Sequence, residues 1–226
     1  MLPAGGRGER FGGKLPKQFI RLQGETVLHR SIALFESLNA VHDIVVVAPA
    51  RYVKRVQQIV RRDGFRKVSR VAAGGRERQE SVWNGLNAFS RRPDIVLVHD
   101  AVRPFVTGGL VRKIIRQVIR YRATVVATRI NDTVKVEGPA GFLTRTLERK
   151  HLWTVQTPQG FHYALLLDAH KAARRAGFVG TDEASLVERL GVPVRIVEGN
   201  ERNLKITTRN DLELAKLFLK QGFHTR

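Results

Sequence analysis

The spacing of apolar runs constrains this chain most. "DIVVVA" (43–48), "KVSRVA" (67–72), "DIVLVHD" (94–100), "ATVVAT" (123–128) and "VPVRIVEG" (192–199) are short and rich in β-branched residues. Several lack polar alternation, the pattern of strands covered on both faces. Between them lie amphipathic stretches. In "TVLHRSIALFESL" (26–38), Val27, Leu28, Ser31, Ile32, Phe35 and Leu38 share one helical stripe. In "GLVRKIIRQVIRY" (109–121), Leu110, Val111, Ile114, Ile115, Val118 and Ile119 do the same. Further helices are predicted over 163–177 and 209–220, the last capped by Asn210 or a neighbour. Alternation of this kind predicts an α/β fold, Rossmann-like, with a mostly parallel sheet and helices on both faces. Ligands of such sheets lie beyond the carboxyl ends of the strands.

One segment departs from the rhythm. Residues 131–153 hold two alternating stretches around "EGPAG", with few large apolar side chains to bury. This predicts a β-hairpin that projects from the body as an arm. The expected organisation is one domain over 1–226 carrying that arm.

Composition narrows the chemistry. The chain has no cysteine, which removes disulfides, thiolate nucleophiles and cysteine-based metal sites. No apolar run is long enough to span a bilayer, and the start lacks the apolar stretch of a secretory leader, so a cytoplasmic enzyme is expected. The formal charge of +20 favours anionic partners: nucleotides, phosphorylated metabolites, nucleic acid or anionic lipid. The densest basic cluster, "RRDGFRK" (61–67), has no interleaved base-stacking aromatics and reads as a solvated surface. A basic nucleic-acid-binding module is the alternative of a different class that the charge suggests.

"LPAGGRGERFGGKLPKQF" (2–19) is glycine-rich and cationic. Glycines let backbone N–H groups approach a phosphate closely. Neither common phosphate motif is satisfied. Phe11 stands where the dinucleotide fingerprint from Gly6 requires its third glycine. In "GERFGGKL" (8–15), Leu15 replaces the Ser/Thr of the P-loop.

The stretch instead resembles the signature loop of nucleotide-sugar-type nucleotidyltransferases, P-A-x-G-x-G-x-R followed by P-K. Further on come "GGRERQESVWNGL" (74–86), "VHDAVRP" (98–104), "NDTVK" (131–135), "LERKHLWTVQTPQGF" (147–161), "TDEASLVERLG" (181–191) and "VEGNERNLKIT" (197–207). This ordered set, across essentially the whole chain, resembles the 2-C-methyl-D-erythritol 4-phosphate cytidylyltransferase family of the non-mevalonate isoprenoid pathway. The resemblance implies transfer of CMP from CTP to methylerythritol phosphate with release of pyrophosphate. A cytidylyltransferase for another polyol phosphate, such as ribitol 5-phosphate, is the nearest enzyme alternative. Magnesium bound mainly through the triphosphate is implied, with no dedicated protein ligand and Asp100 the one possible contributor. A homodimer is implied too, its arms reaching across a two-fold axis to share active sites. No membrane and no specific nucleic acid are expected as partners.

By the same resemblance, Arg10, Lys17, Arg149 and Lys205 are the catalytic cations. Ala4, Gly5, Gly6, Gly8, Gly75, Arg78, Ser81, Asp100 and Ala101 bind the nucleotide. Asp100, Arg103, Asp132, Thr133, Arg149, Thr157, Thr181 and Lys205 meet the polyol phosphate. A phosphate monoester is already an anionic nucleophile near neutral pH, so no general base is needed. His99 accordingly reads as a structural histidine at a strand end. Asp182 and Glu183 read as acids at a helix N-terminus capped by Thr181. Three departures from the family pattern stand out: Ala4-Gly5-Gly6 for Ala-Ala-Gly, Glu148 for Asp, and only Met1 and Leu2 ahead of the Pro-Ala loop. The last predicts that a central strand is missing and that its neighbours' backbone groups are left unpaired.

Overall fold

The computed structural model describes residues 1–5 and 15–223. Its strands are β1 (Leu2–Pro3), β2 (Arg21–Leu22), β3 (Glu25–Thr26), β4 (Ile44–Ala48), β5 (Val68–Ala73), β6 (Ile95–Val98), β7 (Ala123–Arg129), β8 (Lys135–Glu137), β9 (Leu143–Thr146), β10 (Trp153–His162) and β11 (Arg195–Glu198). The helices are α1 (Val27–Ser37), α2 (Val53–Arg62), α3 (Arg78–Leu86), α4 (Gly108–Tyr121), α5 (Tyr163–Arg175), α6 (Glu183–Glu188) and α7 (Arg209–Lys220).

The expected missing strand is corrected by the structure. β1 lies beside β4 in parallel, Leu2 opposite Val46. On its other side, His99 N donates to Met1 O and Ala101 N to Pro3 O, both at 3.1 Å, and the Met1 amine donates to Leu97 O at 2.8 Å. The short segment Met1–Ala4 thus occupies the central slot and joins two sheets, β5-β4-β1 and β6-β10-β7-β11, into one layer. The unpaired backbone predicted there is satisfied. β4, β5 and β1 are mutually parallel, as are β7 and β11; β10 runs antiparallel between β6 and β7. The predicted α/β fold is borne out, with β10 as the antiparallel member.

Successive side chains of a strand face opposite ways, and the core divides accordingly. Val46 and Ala48 pack with Leu28 and Ile32 of α1, Val56 and Ile59 of α2 and Val111, Ile114 and Val118 of α4. Val45 and Val47 pack on the other face with Val82 and Leu86 of α3, Leu166 and Ala173 of α5 and Leu186 of α6. The striped faces predicted for 26–38 and 109–121 are the buried ones. Ile119 is the exception: it is 65% exposed, beside the fully buried Val118. α7 closes a smaller cluster in which Leu219 and Ala215 meet Phe105 and Ile206. Its cap is Thr208, which accepts from Asp211 N while Asp211 answers in a capping box, rather than Asn210.

The hairpin of 131–153 forms as β8 and β9, paired antiparallel with Lys135 opposite Thr146. It has no core of its own: Phe142 and Leu143 are 74% and 65% exposed. "RRDGFRK" closes α2 and leads into β5, with Arg61, Arg62 and Arg66 exposed, as a solvated surface would be.

Candidate active site

Several of the expected site residues gather at the carboxyl ends of β1, β4 and β6. A cavity of about 770 Å³ opens there, lined by Pro3, Gly5, Lys17, Tyr52, Gly74, Gly75, Arg78, Ser81, Asp100 and Lys205 among others. A second, of about 500 Å³, lies behind it. Its walls include Arg103, Trp153, Thr157, Gln159, Thr181 and Asp182, and again Arg78, Asp100 and Lys205. Three charged side chains therefore form a common wall between two rooms.

Each wall of the first cavity follows from local packing. Ala4 N donates to Val47 O at 2.7 Å, and the buried Gln18 amide donates to Ala4 O at 2.8 Å. The root of the glycine loop is thereby tied to the "PKQF" turn, where Lys17–Phe19 form a single 3-10 turn. Phe19 is buried against Tyr52, 5.2 Å between centroids, with the Arg55 guanidinium 4.4 Å above its ring. Opposite, Ser81 in the first turn of α3 accepts from Gly75 N and donates to Glu77 O, both at 3.1 Å. A side chain at Gly74 would place its Cβ 2.8 Å from Ser81 Oγ, so the backbone can pass this close to α3 only as glycine. The positive end of α3 faces the cavity, favourable for an anion.

Asp100 is nearly buried at the end of β6. Lys205 Nζ lies 2.7 Å from its Oδ2, and Arg78 reaches Oδ1 with Nε at 3.3 Å and Nη2 at 3.2 Å. Burial alone would favour the neutral acid. The two cations outweigh it and hold the carboxyl well below its usual range. The Asp100 amide donates to Thr157 Oγ1 at 3.0 Å, which is also 3.2 Å from His99 Nδ1; His99 Nε2 is 3.1 Å from Arg103 O. With the ring neutral, Nε2–H donates to Arg103 O and Nδ1 accepts the Thr157 hydroxyl. Burial, opposed by the nearby Asp100 charge, brings His99 down to about 4. Both nitrogens are occupied, consistent with the structural role expected of it. Arg103 is buried as well, donating to Asn203 O at 2.7 Å.

Of the residues expected in the site, Gly5, Lys17, Gly75, Arg78, Ser81, Asp100 and Lys205 line the first cavity, and Arg78, Asp100, Arg103, Thr157, Thr181 and Lys205 the second. Ala4 and Ala101 are buried beside the first. Gly6, Gly8 and Arg10 lie outside the described residues. Asp132, Thr133 and Arg149 are exposed on or beside the hairpin and line neither cavity; Arg149 Nη1 instead donates to Asn131 O. The expected cap at Thr181 is corrected: Asp182 is the N-cap of α6, accepting from Ser185 N at 3.0 Å, while Thr181 turns to the second cavity. Sequence reasoning misses Gln18 and Gln159. Gln159 donates to Asp182 Oδ2 at 2.7 Å and accepts from Ala184 N at 3.1 Å, docking α6 on β10. Polar side chains inside short motifs give no separate sequence signal for such roles.

Known proteins settle the ancestry of this chain. The profile of the family described as "IspD: 2-C-methyl-D-erythritol 4-phosphate cytidylyltransferase" matches residues 1–221. The chain belongs to this family. A relative from Geobacter metallireducens, named 2-C-methyl-D-erythritol 4-phosphate cytidylyltransferase, is 44% identical over 225 residues, covering 98% of this chain and 97% of the relative. The crystal structure of the enzyme so named from Thermus thermophilus is similar over 97% of both chains, with 34% identity and a TM-score of 0.76. That from Francisella tularensis covers 96% of each chain at 30% identity, with a TM-score of 0.82. The family is one of nucleotidyltransferases, and the resemblance of the ordered motifs is borne out.

Proposed function

We propose that this chain transfers the cytidylyl group of CTP to 2-C-methyl-D-erythritol 4-phosphate and releases pyrophosphate. The observation that carries the reading is the shared wall: two adjoining cavities at the strand ends, both lined by Arg78, Asp100 and Lys205. Such a wall suits a reaction between two anionic substrates.

In the proposed reaction a substrate phosphate oxygen attacks the α-phosphorus of CTP. A new P–O bond forms as the bond to the pyrophosphate oxygen breaks. Negative charge crowds the reacting phosphorus, and fixed cations stabilise it. Lys17 lines the nucleotide cavity in position to serve, with Arg10 as its partner from the glycine loop. Ser81 and the Gly74–Gly75 backbone bound the space for the base, and Lys205 holds the polyol phosphate. Fixing two mutually repelling anions in line contributes an orientation effect. No protein group needs to take a proton, and His99, neutral with both nitrogens engaged, has none to offer or accept at neutral pH.

Magnesium carried on the triphosphate would neutralise part of its charge. Among the described residues no cluster of three His, Cys, Asp or Glu could hold a metal. Asp100 is ionised but already serves two cations. This donor set fits an ion delivered by the nucleotide, with Asp100 as at most one ligand.

Arg149, Asp132 and Thr133 lie on an exposed arm away from both cavities, and we assign them to the site of a second subunit in a homodimer. The exposed Phe142 and Leu143 of the hairpin support a partner there. The chain is then one nucleotidyltransferase domain with a dimerisation arm, acting in the cytoplasm; no helix of the described residues is long and apolar enough to cross a membrane.

The test is pyrophosphate release from CTP and Mg²⁺ with methylerythritol phosphate and ribitol 5-phosphate offered separately. Turnover with the first is expected. Turnover with ribitol 5-phosphate alone would replace the substrate assigned here.

A further inference from the structure

Sequence alone makes Glu183 an ordinary acid in the first turn of a helix, yet it is 1% exposed. Its Oε1 accepts from Arg78 Nη1 at 2.7 Å, while Oε2 is buried without a hydrogen-bond partner. A buried carboxylate with one unsatisfied oxygen is a poor way to stabilise a helix end, since desolvation offsets much of the ion-pair attraction. Such an exception calls for a functional account.

The surroundings hold Glu183 in place from two directions. Gln159 fixes the first turn of α6 to β10, and Asp182 caps it. From α3, one residue after Arg78, Gln79 accepts from Gly180 N at 2.8 Å and donates to Phe178 O at 3.0 Å. α3 is thereby tied to the loop that leads into α6. Arg78 and Glu183 are thus brought together by two independent tethers.

The distances show how the charges divide. Arg78 is 2.7 Å from Glu183 but 3.2–3.3 Å from Asp100, whereas Lys205 is 2.7 Å from Asp100. Arg78 leans on Glu183, and Asp100 is left mainly to Lys205. Without the Glu183 charge, Asp100 would be the carboxylate left to hold the guanidinium, which would shift from its present position toward it. We propose that Glu183 is a positioning residue, which holds the Arg78 guanidinium at the boundary of the nucleotide cavity and keeps Asp100 for Lys205.

This deepens the functional reading and rests on Arg78 meeting the nucleotide. Glu183→Gln, Arg78→Gln and the double variant would be compared in steady-state assays with CTP, Mg²⁺ and methylerythritol phosphate, alongside thermal melting. Glu183→Gln is expected to raise the KM for CTP about tenfold, with kcat changed by less than about threefold. The double variant should be no worse than Arg78→Gln, because the two side chains act as one unit. A lower melting temperature with unchanged KM for CTP would reduce Glu183 to a structural residue and overturn the proposal, as would additive losses in the double variant. An unchanged KM in Arg78→Gln would instead remove the nucleotide role of Arg78, a separable failure. Should Glu183→Gln not fold, Glu183→Asp retains the charge but falls short of Arg78. An intermediate rise in the KM for CTP is then expected, and wild-type KM would count against the proposal.

Discussion

The wall around Asp100 and the hairpin of β8 and β9 are opposite solutions to placing charge. At the wall, Asp100, Arg103, His99 and Glu183 are buried and each is held by at least one defined partner. Beside the hairpin, Arg149, Asp132 and Thr133 are exposed, and the two strands that they flank bury almost nothing. A buried charge must be oriented by its own chain, because an error there costs several kcal/mol. An exposed one can be left for a second body to orient. On the proposed reading, one half of the site is built within a single chain and the other half is supplied by a second subunit.

The strongest way to break this contrast is Asp100→Asn. Arg78 and Lys205 would lose their shared counter-charge, with an expected loss of about 3–5 kcal/mol in stability and about 10³-fold in turnover. Chemical denaturation and the pyrophosphate assay read both; a stable, active variant would mean that the wall is dispensable. Lys17→Ala should separate the two effects. Turnover is expected to fall about 10²–10³-fold, more than CTP binding, with stability little changed.

Mixing tests the other half. Arg149→Ala alone should lose about 10²-fold in turnover while melting like the parent. Combined in equal amounts with Lys17→Ala, and allowed to exchange subunits, it should recover to about a quarter of wild-type activity. Half the dimers are then mixed, and each of those holds one intact site. Absence of recovery after proven exchange would return Arg149 to its own subunit.

Acid sharpens the comparison further. His99 and His170 are both buried and lie at about 4 in the folded chain, against an ordinary value of 6.5; burial is the main cause for each. Between these values the unfolded chain binds more protons than the folded one. Stability is therefore full above about pH 6.5 and falls as pH drops toward 4, by about 3 kcal/mol per histidine. Melting temperature against pH checks this, and His170→Gln should flatten part of the slope. The smallest effect is expected at the arm tip. Phe142→Ser should change stability by no more than about 0.5 kcal/mol yet weaken self-association in sedimentation.

Local signals carry much of this architecture. The stripes of α1 and α4 and the apolar runs of β4 and β7 are legible because burial imprints a pattern on neighbouring residues. Asp100 can be placed because it follows an apolar run directly. Less legible is whatever depends on distant pairing. Residues 153–162 stand out as motif but not as a strand, since β10 gains its partners from β6 and β7, far away in the chain. Met1–Ala4 look too short to be a strand, and only their neighbours on both sides make them one. Glu183 has a plausible helix-end explanation that needs no partner, whereas its partner lies 105 residues away. The arm can be predicted from its lack of apolar content, but not the body that it would touch.

Arg78, Asp100 and Lys205 face both rooms, and this matters to anyone seeking to block the enzyme. A small pyrimidine-like fragment in one room and a polyol mimic in the other would be neighbours across those three side chains. Linking them makes the second binding event intramolecular, so the joined compound gains affinity by geometry without any new contact. Calorimetric titration of the linked compound against its two halves measures that gain directly.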